Sequence, residues 1–456
     1  MIREAAAAGP VVVVDAGTSL VKPGAGKDDP QRAGKAAVVA AAMRLGQTDA
    51  MVLSSTDWTL GKDVVLGLVQ EHGLPVLAAN FVCDGVAPFP ASKVVERGGR
   101  RIGVVGVTDG QVPGCTTGPM RSAIEAALAE LGTVDVRVLL LPTDNVRTRD
   151  LLKEPIAVDL VFDAHPGRIG AEADQPAHGL AIGTGARGQR VGLTSLAWRE
   201  GGSGWTSERM VEQQQATVTR LETLQQTLTE RLTTVEGSSK ERIQQQVQKA
   251  EADLAAARAA LAAATAAAAS AHLAATRIVE LDTSLVDEPE TSSLVKAFLA
   301  STQPVGASTD VPRIGTGGAA WAGADACKSC HPAEYAQWLT TPHASAWRSL
   351  VDDGHAGDND CFACHSTGAR QLGGPVDAGS VGGLRDVQCE SCHGPARQHM
   401  SDPGGIRPRL RVEDSTCRGC HDGERDGGRF DPATYRPKIL HLPAGGANEV
   451  AAPAPL

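Results

Sequence analysis

Four copies of one pentapeptide, Cys-x-x-Cys-His, stand in the last third of this 456-residue chain. They are Cys327, Cys330 and His331; Cys361, Cys364 and His365; Cys389, Cys392 and His393; and Cys417, Cys420 and His421. Their first cysteines lie 34, 28 and 28 residues apart. Two thiols at this spacing add across the vinyl groups of a haem, and the adjoining imidazole meets the iron from one side. The reading is four covalently bound c-type haems. Two zinc ribbons would use four Cys-x-x-Cys pairs as well, but zinc gives no reason for a histidine after every pair.

The motifs take eight of the ten cysteines and leave Cys83 and Cys115, too few for a disulfide framework. A low-spin haem needs a second axial ligand, and the chain holds twelve histidines. Four are the proximal ligands His331, His365, His393 and His421. Four more, His343, His355, His399 and His441, are the candidate distal ligands, so supply equals the largest demand. A histidine close in sequence to its own haem's proximal ligand does not reach the opposite face. His343 and His399 are therefore expected to serve neighbouring haems. Ligation by two histidines favours a low reduction potential.

The segment that must hold these residues, from about 319 onward, is rich in glycine, proline and charge and poor in large aliphatics. Its core is expected to be the macrocycles, with Tyr335, Trp338, Trp347 and Phe362 packed against them and the haem-free domain unfolded. The run from Cys327 through Trp338 to His343, with Cys389 to Pro395, resembles the tetrahaem cytochrome c family that accepts electrons in hydroxylamine oxidation. The resemblance covers about the last 130 residues. It implies a mostly helical, loop-rich electron carrier, with His343 at a distal ligand position and His399 near another. His355 has no clear counterpart there, which leaves room for a five-coordinate second haem with an iron open to a small molecule.

Residues 1 to about 200 alternate apolar runs with alanine-rich stretches. Val11 to Val14, Ala50 to Leu53, Val76 to Ala79, Arg101 to Val107, Val136 to Leu141 and Leu160 to Phe162 read as buried strands. Gly34 to Leu45 and Arg121 to Leu131 read as helices, and the alternation argues for an α/β layered domain. With 3% aromatic residues, valine, leucine and alanine must fill its core. Gly103 to Gly106 follows a strand without the spacing of a nucleotide loop and reads as a turn.

The order of Val11–Gly17, Ala50–Gly61, Pro75–Asn80, Arg101–Thr108 and Asp159–His165, and later Ile278–Asp282 and Leu294–Phe298, resembles the 5′-nucleotidase branch of the calcineurin-like metallophosphoesterases. That resemblance implies a four-layer α/β sandwich and a two-metal site that activates water against phosphorus. Position by position the ligands are mostly absent. The bridging aspartate is Thr18, the asparagine and histidine of the Gly-Asn-His-Glu turn are Ser55 and Thr56, and a later histidine is Thr143. His165 remains, its partner is Gly167, and the opening Asp-x-His strand has no counterpart. Hydroxyls are poor replacements for carboxylate and imidazole on a divalent ion, so the domain reads as an inactive phosphoesterase-like scaffold with no catalytic residue.

The expected organisation is multidomain α/β plus α. It comprises a phosphoesterase-like domain over 1–206 and 272–301, an inserted antiparallel helical hairpin over 207–271, a linker at 302–323, a tetrahaem domain at 324–442 and a disordered tail at 443–456. In the hairpin, Val218, Leu221, Leu228, Leu232 and Val235, and then Ile243, Val247, Ala250, Leu254, Ala257 and Leu261, keep the spacing of a coiled-coil seam. Glu236 to Ser238 breaks the runs, Ser238 and Glu241 form a capping box, and each arm is about 45 Å long. The hairpin reads as a strut or self-association arm too polar to span a membrane.

A net charge of −10 and no basic run exclude an obvious nucleic-acid role. Covalent haem attachment implies export to a periplasm or cell surface. No transmembrane segment is expected; the first residues do not form a signal peptide and the first strand of the phosphoesterase resemblance is missing as well, so the true start is expected upstream. Partners are then redox proteins or a quinol-linked donor. The function expected is haem-to-haem electron transfer. The alternatives are a redox enzyme for a small nitrogen or sulfur compound at one open haem, and a 5′-nucleotidase-like phosphohydrolase with a haem regulatory domain.

Overall fold

Valine and leucine runs become strands covered on both faces, the usual setting of parallel sheets. In the computed structural model the described residues are 1–24, 29–142, 147, 150–151, 154–164, 169–172, 179–185, 188–207, 209–282, 284–304, 313–314, 320–423 and 428–441. They form two compact units, Met1–Thr291 and Ser292–Leu456.

The strands of the first unit are β1 (Val14–Asp15), β2 (Ala50–Met51), β3 (Phe81–Cys83), β4 (Ser92–Arg97), β5 (Arg100–Gly106), β6 (Cys115–Thr117), β7 (Val136–Leu141), β8 (Leu160–Asp163), β9 (Ile169–Glu172), β10 (Leu180–Thr184), β11 (Arg190–Ala197), β12 (Trp205–Ser207) and β13 (His272–Glu280). One six-stranded sheet runs β4-β5-β7-β8-β10-β9. Its centre, β5-β7-β8-β10, is parallel, and β4 and β9 pair antiparallel at the edges. Val104, Val136, Leu139, Leu140 and Leu141 are wholly buried there. The helix Met120–Glu130 carries the chain from β6 towards β7, and its Ile124 and Ala127 pack against Val105, Leu139 and Val161. Between β1 and β2 the helix Arg32–Leu45 buries Ala36 and Ala40 against Met51 and Leu53.

β3 and β6 form a separate antiparallel pair in which Cys83 lies directly opposite Cys115, and the two are joined as a disulfide. The sequence reading saw no framework in these two cysteines and missed the bond. A third sheet, β11-β13-β12, brackets the inserted helices Met210–Leu232 and Ser238–Ser270. These run antiparallel, with Arg258 donating to Glu222 at 2.7 Å and Gln225 reaching Glu251 at 3.4 Å. Val218, Leu254 and Ala257 pack between them. Met210 and Ala264 join the core of the six-stranded sheet at the base, and the Arg199 guanidinium caps the carbonyl of Ala268 at the end of the second helix.

Three expectations for this insertion change. The arms are unequal, at 23 and 33 residues, or about 35 and 50 Å. The capping box is absent, because Gly237 at φ 64 takes the turn and puts Ser238 already inside the helix. Finally, Ser238–Ser270 is long and apolar enough to cross a membrane by length and composition alone. That apolarity comes from alanine, whereas leucine, isoleucine, phenylalanine and valine drive insertion.

The second unit begins within the helix Pro289–Thr302, whose end is held when Gln303 donates to the carbonyl of Gly354 at 2.7 Å. Short helices follow, the longest of them Pro332–Leu339 and Ala346–Asp352. Tyr335 and Trp338 gather with Ala324 and Ala344 in one small core, and Trp347 and Phe362 with Leu350 and Val381 in another. The described part of the expected linker is folded into this unit. Trp321 is 2% exposed and lies over Gly368. Arg313 binds Asp386 at 2.8 Å and the Ala344 carbonyl at 3.0 Å. The expected tail at 443–456 lies outside the described residues.

Candidate haem-binding site

One helical turn places residues i, i+3 and i+4 on one side of the backbone, which is what a Cys-x-x-Cys-His attachment needs. The third motif is the helix Cys389–His393. In the first and fourth motifs the carbonyl of the leading cysteine accepts from the second cysteine and from the histidine: Cys330 at 3.2 Å and His331 at 2.9 Å on Cys327, Cys420 at 3.1 Å and His421 at 2.9 Å on Cys417. The second begins the same way, with Cys364 on Cys361 at 3.3 Å, and runs into the helix Phe362–His365.

The motif histidines then find partners far along the chain. His331 faces His399 with ring centres 6.3 Å apart, His421 faces His343 at 6.1 Å, and His393 faces His441 at 5.7 Å. Two imidazoles bound to one metal through nitrogen at about 2 Å have ring centres about 6 Å apart, so each pair has room for one ion between its rings. In every pair the second histidine follows a different motif from the one it faces.

Backbone carbonyls orient these rings. His393 Nδ1 lies 2.6 Å from the Arg409 carbonyl, His399 Nδ1 2.6 Å from that of Ile406, and His365 Nδ1 2.6 Å from that of Ala346. A ring that donates Nδ1–H to a carbonyl keeps Nε2 as a lone-pair ligand. His343 and His441 are both held below the usual imidazole range, first by burial and then by the facing His421 or His393, which favours the neutral, ligating form. Phe430 stacks on His421 at 4.5 Å. Leu410, next to the Arg409 whose carbonyl holds His393, and Leu440, next to His441, are 80% and 62% exposed. Together these residues fit a planar apolar macrocycle with an iron that takes two nitrogens.

His365 differs. No second imidazole faces it among the described residues, and its Nδ1 also lies 3.4 Å from Ser349 Oγ. His355, the remaining candidate, sits with Asp358 and Cys361, their ligand atoms within 4.8 Å of one another, and its buried Nδ1 has no hydrogen-bond partner. It therefore stands beside an attachment sulfur. A zinc ribbon needs four sulfurs at one point; among the described residues the one group of three or more His, Cys, Asp or Glu close enough to share an ion is this one, with a single sulfur.

Side chains that the motif reading passed over tie the motifs together. The neighbouring Cys389 thiol, and then burial, push the Cys327 thiol above the usual thiol range. Glu390, 2% exposed, accepts from the backbone of Ala322, Gly323 and Ala396. Gln388 accepts from Ala324 at 2.5 Å, Trp338 Nε1 donates to the Val387 carbonyl at 2.9 Å, and Asp386 accepts from Trp347 at 2.9 Å. Glutamate between two attachment cysteines was the one visible signal.

In the first unit, the carboxylates beside Thr18 and Ser55 are engaged in internal hydrogen bonds. Asp57 accepts from the backbone of Thr18, Leu20, Val21 and Ser54 and from the Ser54 hydroxyl. Ser55 donates to Asp109, which also pairs with Arg147 at 3.7 Å. Asp15 accepts from Gly17 and Ser19, and burial pushes its carboxyl up to about 6 against those hydrogen bonds. Thr56 caps nothing with its side chain. Thr143, His165 and Gly167 lie outside the described residues.

Residues 326–394 match the family model of cytochrome c554 and c-prime. The match covers the first three motifs. That stretch is similar to a cytochrome c domain, and the family's chemistry is covalently bound c-type haem. Among solved structures, the chain is similar to a sulfate thiohydrolase, SoxB, of Thermus thermophilus at 22% identity and TM-score 0.37, over 43% of this chain and 38% of that one. It is also similar to a 5′-nucleotidase precursor of Thermus thermophilus at 18% identity and TM-score 0.36, over 43% and 44%. A calcineurin-like phosphoesterase of Bacillus subtilis matches at 15% and 0.34, over 44% and 76%. This chain thus spans less than half the length of the first two, and at these scores the likenesses carry no argument. No curated protein matches the chain.

Proposed function

We propose that this chain is an exported tetrahaem c-type cytochrome that passes electrons from haem to haem, carried on an inactive phosphoesterase-like sandwich. The observation that carries the reading is the set of three facing imidazole pairs, each joining a Cys-x-x-Cys-His histidine to a histidine outside the motifs. Bound haem would supply a reversible one-electron couple at iron, with low potentials under two-histidine ligation. The chain's own part is to hold: Cys327, Cys330, Cys361, Cys364, Cys389, Cys392, Cys417 and Cys420 as thioethers; His331, His365, His393 and His421 as proximal ligands; and His399, His343 and His441 as distal ligands of the first, fourth and third sites. Because each distal ligand comes from another motif's neighbourhood, the sites are fixed to one another, as hopping between them requires. No residue needs to act as an acid or base.

Export is supported by the Cys83–Cys115 disulfide, which persists in oxidising compartments. Redox proteins or a quinol-linked donor are the proposed partners, no nucleic acid is involved, and the paired helices 210–270 are a strut or self-association arm. Midpoint potentials of matured protein, read in spectroelectrochemistry, test the carrier reading: four reversible waves are expected, the three paired-histidine sites at low potential, and irreversible or absent waves contradict it.

A second reading, a redox enzyme for a small nitrogen or sulfur compound, is favoured by His365, which faces no imidazole. A high-spin signal that shifts on adding cyanide or nitric oxide, with substrate turnover, would promote it. Phosphohydrolysis is disfavoured by the hydroxyls of Thr18, Ser55 and Thr56 at positions where the phosphoesterase resemblance expects carboxylate, amide and imidazole ligands. Nucleotide hydrolysis with added manganese or zinc is expected to show no turnover.

A further inference from the structure

Of the four motifs, only the third places a carboxylate between its cysteines, and that carboxylate is almost fully buried. Glu390 is 2% exposed, which is costly for a charged group unless hydrogen bonds replace its water. Its Oε1 accepts from Ala322 at 2.9 Å and from Ala396 at 2.7 Å, and its Oε2 from Gly323 at 2.8 Å and again from Ala322 at 3.1 Å. Ala322 and Gly323 are not neighbours of the third motif in sequence. They are the last residues before the helix Ala324–Cys327, of which Gly323 is the N-terminal flank at φ 81. Gln388, on the other side of Cys389, grips the next residue by accepting from Ala324, while its amide donates to the Gly383 carbonyl at 2.9 Å. Side chains flanking Cys389 thus hold three consecutive backbone N–H groups leading into Cys327.

The geometry points to Glu390 as a positioning residue that sets the first haem site against the third. The inference rests on the proposed function, since it needs haem at both motifs, and it adds what fixes their separation. Isolated helices of four and five residues have no stability of their own, so the relation between the two attachment turns comes from these side-chain bonds. Glutamine at this position keeps one acceptor oxygen but turns an N–H₂ donor toward the Gly323 or Ala396 N–H. Aspartate keeps the charge and is too short to reach 322–323 and 396 together.

The test uses the full matured chain. Haem is counted first by pyridine haemochrome, and Soret circular dichroism then reads the exciton couplet between neighbouring haems. Glu390→Gln and Glu390→Asp are both expected to keep the wild-type haem count and lose at least half of the couplet. Charge alone would shift potentials in Glu390→Gln and spare Glu390→Asp. A couplet unchanged in both variants, or lost only in Glu390→Gln, overturns the positioning role while leaving the haem reading intact; a wild-type chain without haem overturns both. If the variants fail to mature, hydrogen exchange of the wild-type protein decides. Protection of the Ala322 and Gly323 amides is expected, and exchange at the rate of an open loop overturns the clamp.

Discussion

His343 and His355 are separated by twelve residues and have different fates, because one faces an imidazole and the other a sulfur. His343→Ala leaves His421 without an opposing ring. It should convert one haem in four from low to high spin in the electron paramagnetic spectrum. His355→Ala should leave the spin populations of the wild type, and the reverse outcome would reassign the ligands. Asp15 gives a second residue-scale test. Its carboxyl titrates at about 6 in the fold and at about 4 in the unfolded chain, so the folded state binds the proton more tightly. The stability this contributes is fully present below about pH 4 and is lost as pH rises through about 6. Asp15→Asn cannot titrate, so the melting temperature of the wild type relative to this variant should fall across that window and level off above it. Parallel pH profiles would contradict the assignment. At this scale the sequence displays the four Cys-x-x-Cys-His motifs in full, since each is written in adjacent positions. It displayed a supply of distal histidines without the pairing, because the partners of His331, His421 and His393 come from tertiary contacts.

Among elements, the long strands were legible and the short ones were not. Val136–Leu141 is as long and apolar as the sequence reading made it. The three-residue strands β3 and β6 are too short for a period to show, and with them went the disulfide they bring into register. That bond closes a loop between residues 32 apart, and chain-entropy reasoning gives it about 3 to 4 kcal/mol. Cys83→Ser with Cys115→Ser should therefore lower the first unit's unfolding free energy in urea by that order; a change under about 1 kcal/mol would show that the strands hold their register unaided. Glycine, serine and proline suggested a spacer at 302–323, and in the described part of it one tryptophan, Trp321, and one arginine, Arg313, are anchored within the second unit. The inserted helices were visible from their apolar spacing. The unequal arms were not, because Gly237 alone decides where the second helix begins.

At the scale of the whole chain, the two units differ in what stabilises them. The first has three protein cores built around β strands, while the second has two small clusters and exposed Leu410, Leu440 and Ile406 near its histidines. Protein made without haem maturation should accordingly lose residues 320–441 to limited proteolysis while 1–291 survives; equal resistance of both would show that the clusters of Trp347 and Trp338 suffice alone. The central claim is that four haems are covalently anchored, three between paired histidines and one at His365 alone. Intact mass with pyridine haemochrome and spin-state spectroscopy on matured protein tests it most directly. The account predicts four haems per chain, three low-spin and one high-spin; bare polypeptide, bound zinc, or four equivalent low-spin haems would contradict it.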